Sequence, residues 1–291
     1  MYKHLLICLL ITSEIVLSQT NPDVFIMDLS ISEEKIETSN LKNLSQNKGY
    51  DNQPSFYDNE TLLFAGTREE ATDIAMSTGQ STTPLFKFLK TEGGEYSPQR
   101  IPNSEDVSAV RLDLDGTQRL YKYEDNTDKS VTRIHDDLQV AYYAYADENT
   151  ILASVLSGNN MDLVFLDIKT SRVDTLLEAS GRSIHKVPDV NSMSYTARNE
   201  EGNWDVYQFD LESKESFFVC QLPIGIQDHI WLDDSKLLIG SGDKLFWYDL
   251  YGNGDWKQVA DLSGENIQNI TRLAVSLNGK RLSIVAEPIE Q

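Results

Sequence analysis

His185 and His229 lie 44 residues apart, each four positions before an aspartate, Asp189 and Asp233, in stretches of strand-forming residues. Imidazoles exchange protons near neutral pH and donate nitrogen lone pairs to metals, so a repeated pair could serve acid–base or metal chemistry. Counted back from other turn aspartates, the same position holds Arg111 and Tyr143, and two places further on stand Asp113 and Trp231. Arg111, Asp113, Tyr143, His185, His229 and Trp231 are therefore expected to enter one concavity from successive repeats, as ligand pockets require. A metal would need a third ligand beside the two imidazoles, with Asp228 and Asp113 nearest in the pattern. The competing reading is that these side chains pack between repeats and bond locally, with no catalytic residue and no cofactor.

Other chemistry is missing from the sequence. There is no Gly-x-Ser-x-Gly elbow, no phosphate-cradling glycine loop and no metalloprotease His-Glu pair. Asp113-Leu-Asp-Gly116 lacks the third acid and distal glutamate of a calcium loop, and reads as a turn. Cys220 sits in the apolar run Phe217-Phe-Val-Cys-Gln-Leu222, where a buried, inert thiol is expected.

The elements that would position these residues are repeated. Asp205-Val-Tyr-Gln-Phe-Asp-Leu211 has close copies at Asp23–Leu29, Asp162–Ile168 and Lys244–Leu250, each a strand closing on an aspartate and a polar turn. Hairpin turns anchored at Asp58, Asp115, Asp147, Asp189, Asp233 and Asn278 are spaced by 57, 32, 42, 44 and 45 residues, averaging 44. Short strands at that period predict propeller blades. Positions one, three and five before each anchor, such as Leu114, Leu112 and Leu277, Val275, are mostly apolar and expected to face the core. The long first gap predicts an insertion over Thr67–Thr83, carrying a helical turn, before a strand at Leu85–Leu89; the short second gap predicts a reduced blade.

The final copy holds two strands, and the amino end supplies two more without a hairpin. Together they predict a shared sixth blade that zips the ring shut and removes its exposed edges. The expected fold is all-β, a six-bladed propeller over residues 21–291; five blades is the alternative.

The chain of 291 residues carries a formal charge of −21, which repels phosphate backbones and anionic lipid. Nucleic acid is not an expected partner. Lys3, the apolar run Leu5–Ile11 and Val16-Leu-Ser18 predict a signal peptide over residues 1–18, too short to span a bilayer. Its removal leaves one cysteine, hence an exported monomer without intrachain disulfides or membrane insertion.

The hairpin Pro54-Ser-Phe-Tyr-Asp-Asn-Glu-Thr-Leu-Leu-Phe-Ala65, together with Asp205–Leu211, resembles the TolB-like, WD40-like propeller repeats of bacterial envelope proteins. The Pro-Asp-Gly turn of that family survives in altered forms, Leu114-Asp-Gly116, Val187-Pro-Asp189 and Leu277-Asn-Gly279. The resemblance implies a periplasmic or surface-exposed module that binds a protein or glycan partner at the envelope. A metal-dependent hydrolase or lyase using the axial pocket is the alternative.

Overall fold

The computed structural model describes residues 21–32, 35–46, 48–68, 71–78, 91–124 and 130–289. The signal-peptide segment and the Leu85–Leu89 strand lie outside these residues. Six antiparallel sheets follow one another around an axis. Within each, strands are lettered A to D outward from the axis, where neighbouring A strands pack together.

Blade I contains Asp51–Phe56, Leu62–Arg68 and Ala71–Ser77; blade II contains Gly94–Arg100, Val107–Leu112, Gln118–Tyr123 and Val131–Arg133. Blades III, IV and V begin at Val140, Ser180 and Ile230, each with four strands. Blade VI takes strands A and B from Ile267–Val275 and Arg281–Pro288, and strands C and D from Asp23–Ile31 and Ile36–Asn43. Val24 pairs with Val285, and Asp28 with Arg281, so the two chain ends share one sheet as expected.

The amino-terminal strand is buried on both faces. Val24 and Ile26 pack with Leu44, Leu62 and Phe64 towards blade I, while Phe25, Met27 and Leu29 pack with Leu238, Leu245 and Trp247 of blade V. Each such apolar side chain contributes about 1.5–3 kcal/mol of transfer free energy. Closure is thus hydrophobic as well as hydrogen-bonded.

The recurring aspartates are turn-formers. Asp58 Oδ1 accepts from the backbone N–H of Glu60 and Thr61, and Asp233 Oδ1 from those of Ser235 and Lys236. The aspartate closing the Asp205–Leu211 motif acts likewise: Asp210 Oδ1 accepts from Glu212 and Ser213. A carboxylate that satisfies two amides of a tight turn supplies the bonds the ladder loses there.

Three expectations are corrected. The described part of Thr67–Thr83 forms no helical turn, because Ala71–Ser77 is a strand paired with Leu62–Arg68, Gly66 opposite Asp73. Blade II is a full four-stranded sheet whose A–B turn spans Ile101–Asp106, whereas Asp115 stands in its B–C turn. Taking Asn103 as that anchor spaces the first three turns by 45 and 44 residues, and the unequal gaps vanish. Leu114 and Leu277, expected in the core, are 78% and 82% exposed at turns, where the strand alternation no longer applies.

Candidate functional site

The polar axial position is rebuilt by the corrected register. Four residues before each A–B anchor stand Pro54, Gln99, Tyr143, His185, His229 and Ala274. The first five line a small cavity of about 90 Å³ at the axis, together with Gln53, Tyr142, Arg182, Ser183, Asp228 and Arg272. Bonds join neighbouring blades here: Gln99 Nε2 donates to the Tyr143 carbonyl at 2.6 Å, and Ser97 N to Gln53 Oε1 at 2.8 Å.

His185 and His229 come together as the repeat predicted. Their rings meet edge to face, with centroids 4.9 Å apart and planes at 76°. Trp231 Nε1 donates to Ser194 Oγ at 2.7 Å, and that hydroxyl lies 3.0 Å from His229 Nε2. Ser183 Oγ lies 3.0 Å from both His229 Nδ1 and His185 Nε2, and accepts from the His229 N–H at 3.1 Å. With Trp231 donating to Ser194, the protons can run in either of two directions: from Ser194 through His229 and Ser183 to His185 Nε2, or from His185 Nε2 through Ser183 and His229 to Ser194. In either direction both imidazoles are neutral and the lone pair of His229 accepts a hydroxyl proton, while His185 is tied to Ser183 through Nε2.

Burial accounts for the same state electrostatically. Desolvation pushes His185 down to about 4, opposed by the Asp228 charge, and holds His229 well below its ordinary value, with His185 adding to the effect. His229 is the more enclosed, only 1% exposed, while His185 keeps part of its edge on the cavity.

The charged groups of the cavity come from three blades. Arg182 Nε lies 3.1 Å from both oxygens of Asp228, Arg182 Nη2 also donates to Oδ2, and Arg272 Nη1 donates to Oδ1 at 2.9 Å. Arg272 also stacks over the Tyr142 ring at 5.3 Å. Nearby Tyr50 is pushed up to about 12 by burial, against the pull of Arg272.

The remaining predicted residues lie elsewhere. Tyr143 lines the cavity but is 4% exposed, its hydroxyl bound to Ser108 Oγ at 2.8 Å and the Ser97 carbonyl at 3.0 Å. Trp231 lines a larger cleft of about 1080 Å³ on the A–B turn side, with Asp28, Lys186 and Arg281. Arg111 and Asp113 stand at the end of strand B of blade II and do not line the axial cavity. There Asp113 accepts from Arg111, Arg119 and Tyr121, and Arg111 covers the Tyr121 ring at 3.7 Å. Their removal from the axis follows from the misassigned turn at Asp115.

Arg182 was not legible from alternation, because its strand is bulged, and Arg272 lies beyond the two positions compared in each repeat. The pairing register shifts between Ser180 and Ile184, and between Gln268 and Arg272. A bulge inserts a residue and re-aims the next side chain, so a strict period of two misplaces Arg182, whereas Arg272, six before Asn278, keeps the register of Ala274 but stands one step beyond the positions compared.

Metal ligation does not fit this donor set. Asp228 is held by two guanidinium groups, both nitrogens of His229 and Nε2 of His185 are bonded to serine hydroxyls, and among the described residues no three His, Cys, Asp or Glu side chains form a metal-holding group.

No family model and no curated protein matches the chain. Among solved structures, one assigned as TolB from Agrobacterium tumefaciens superposes with a TM-score of 0.66 at 10% identity, covering 92% of this chain and 99% of that one. An oligogalacturonate lyase in complex with manganese gives 0.53 at 13% identity, over 86% and 80% of the two chains. TolB from Acinetobacter baumannii gives 0.53 at 11%, over 92% of this chain and 65% of its own. At these identities the likeness establishes the fold, a TolB-like six-bladed propeller.

Proposed function

We propose that the chain is an exported, non-catalytic binding propeller that engages a protein or glycan partner at the cell envelope. The observation that carries this reading is the closed hydrogen-bond chain through Ser194, His229, Ser183 and His185. A general base needs a lone pair free to take a substrate proton, and a metal needs one free to donate. Here both nitrogens of His229 and Nε2 of His185 are already bonded inside the protein. The sharing of its fold with TolB structures favours a protein partner, and the net charge of −21 favours a basic face on it.

Purified protein is to be tested for reversible capture of a defined envelope component, first in extract and then with the isolated component, at rising salt. Saturable binding that weakens with salt is the expected result; no saturable binding to any protein or glycan of that extract overturns the reading.

The fold shared with a manganese-bound lyase supports a second reading, a metal-dependent hydrolase or lyase at the axis. Turnover of acidic oligosaccharides that requires added manganese and is lost on His185→Ala would replace the first reading with this one.

A further inference from the structure

We propose that Arg182 and Arg272, held side by side by Asp228 in the wall of the axial cavity, bind a small carboxylate ligand. In blade II, Arg111 and Arg119 share two carboxylates, Asp113 and Asp115, and balance; here two guanidinium groups from different blades share one, and among the described residues no second carboxylate bonds either. Arg182 comes from blade IV and Arg272 from blade VI, with Asp228 beside blade V between them. Two like charges at one carboxylate leave one positive charge in excess.

The donors left over point to what would occupy the place. Each guanidinium carries five N–H groups. Among the described residues, Arg182 Nη1 and Arg272 Nε and Nη2 have no hydrogen-bond partner, while both residues line the cavity and retain 30% and 16% side-chain exposure. Asp228, at 7%, is covered and serves as their anchor. Planar forks of this kind match the two oxygens of a carboxylate in geometry and charge.

Size and charge narrow the ligand. The cavity of about 90 Å³ holds a few waters or a carboxylate with a short stem, and no large ring system. A single excess positive charge neutralises a monoanion, whereas phosphate or sulfate would retain a negative charge inside a chain whose net charge is −21. The phenol rings of Tyr142 and Tyr143 and the amides of Gln53 and Gln99 complete the lining, offering apolar faces and hydrogen bonds to the stem.

Acetate binding at the arginines is read without any envelope partner present, so either proposal can fail alone. Acetate and glycolate are titrated into the full chain at pH 7 by chemical-shift perturbation, with phosphate and sulfate as controls. Saturable acetate binding is expected, weakened roughly tenfold by Arg272→Lys or Arg182→Lys, which keep the charge but lose the fork. Asp228→Asn frees both guanidinium groups and is expected to tighten acetate by roughly threefold or more; where this variant does not fold, the lysine variants carry the test. A merely structural role would lower the melting temperature of the lysine variants and leave acetate affinity unchanged, overturning the proposal. So would absence of saturable acetate binding, or tighter binding of phosphate or sulfate than of acetate.

Discussion

His229 Nε2 and Ser194 Oγ, 35 residues apart in adjacent blades, lie 3.0 Å from each other in the protein interior. That bond continues through Ser183 to His185, and it ties blade IV to blade V by side chains where no sheet hydrogen bonds cross.

Acid should loosen this joint. Burial lowers the folded pKa of His185 to about 4 and holds that of His229 well below the same ordinary value of 6.5. Below 6.5 the unfolded chain takes up protons that the folded one refuses, so stability falls as pH drops from 6.5 towards 4. Urea midpoints across that window should decline in the native chain and decline less in His229→Gln. An equal slope in both would rule out the histidine pair as the cause.

Glu95 should act in the opposite sense. It is 1% exposed in strand A of blade II, its Oε1 accepting from Tyr123 at 3.2 Å and from Thr91, while Oε2 has no partner. Burial raises it to about 7, and nearby Asp73 adds to the effect. Between 4.5 and 7 the folded chain holds a proton the unfolded one has lost, so this contribution is present at low pH and vanishes as pH rises. Glu95→Gln should therefore raise stability at pH 8 by about 2 kcal/mol and change it little at pH 4. Thermal melts at the two pH values decide this.

Ring closure should depend on single apolar side chains of the amino-terminal strand. Ile26 is 1% exposed and paired with Ser283. Ile26→Ala should cost about 2–5 kcal/mol by opening a cavity between blades. Removal of residues 21–40 should abolish cooperative unfolding, and a chain that still melts sharply without them would contradict the zipped sheet.

Gly240 has no room for a side chain. A Cβ there would lie 2.2 Å from Ile270 Cγ2 and 2.8 Å from Ile270 Cβ, across the interface between blades V and VI. Gly240→Ala should destabilise by about 1–3 kcal/mol, and by less in an Ile270→Ala background. Additive losses in the double variant would place the strain elsewhere.

The period, the all-β class, the blade number and the pairing of the chain ends were legible before any coordinates. Each is a consequence of local chemistry: branched and aromatic runs make strands, and an aspartate such as Asp58 or Asp233 caps the turn it opens. The equivalence of His185 with His229 followed from the same count. What the count could not carry was any place where that local chemistry recurs in a different role. Asp115 caps a turn as Asp58 does, through the Thr117 N–H, but between strands B and C, and Arg111 and Asp113 went with it to the wrong part of the ring. Only the tertiary structure revealed the Arg182–Asp228–Arg272 cluster, because a bulge in its strand moves Arg182 off the alternation and because the members meet across three blades. Strand periodicity is a property of one chain segment; convergence at an axis is a property of how all six are stacked.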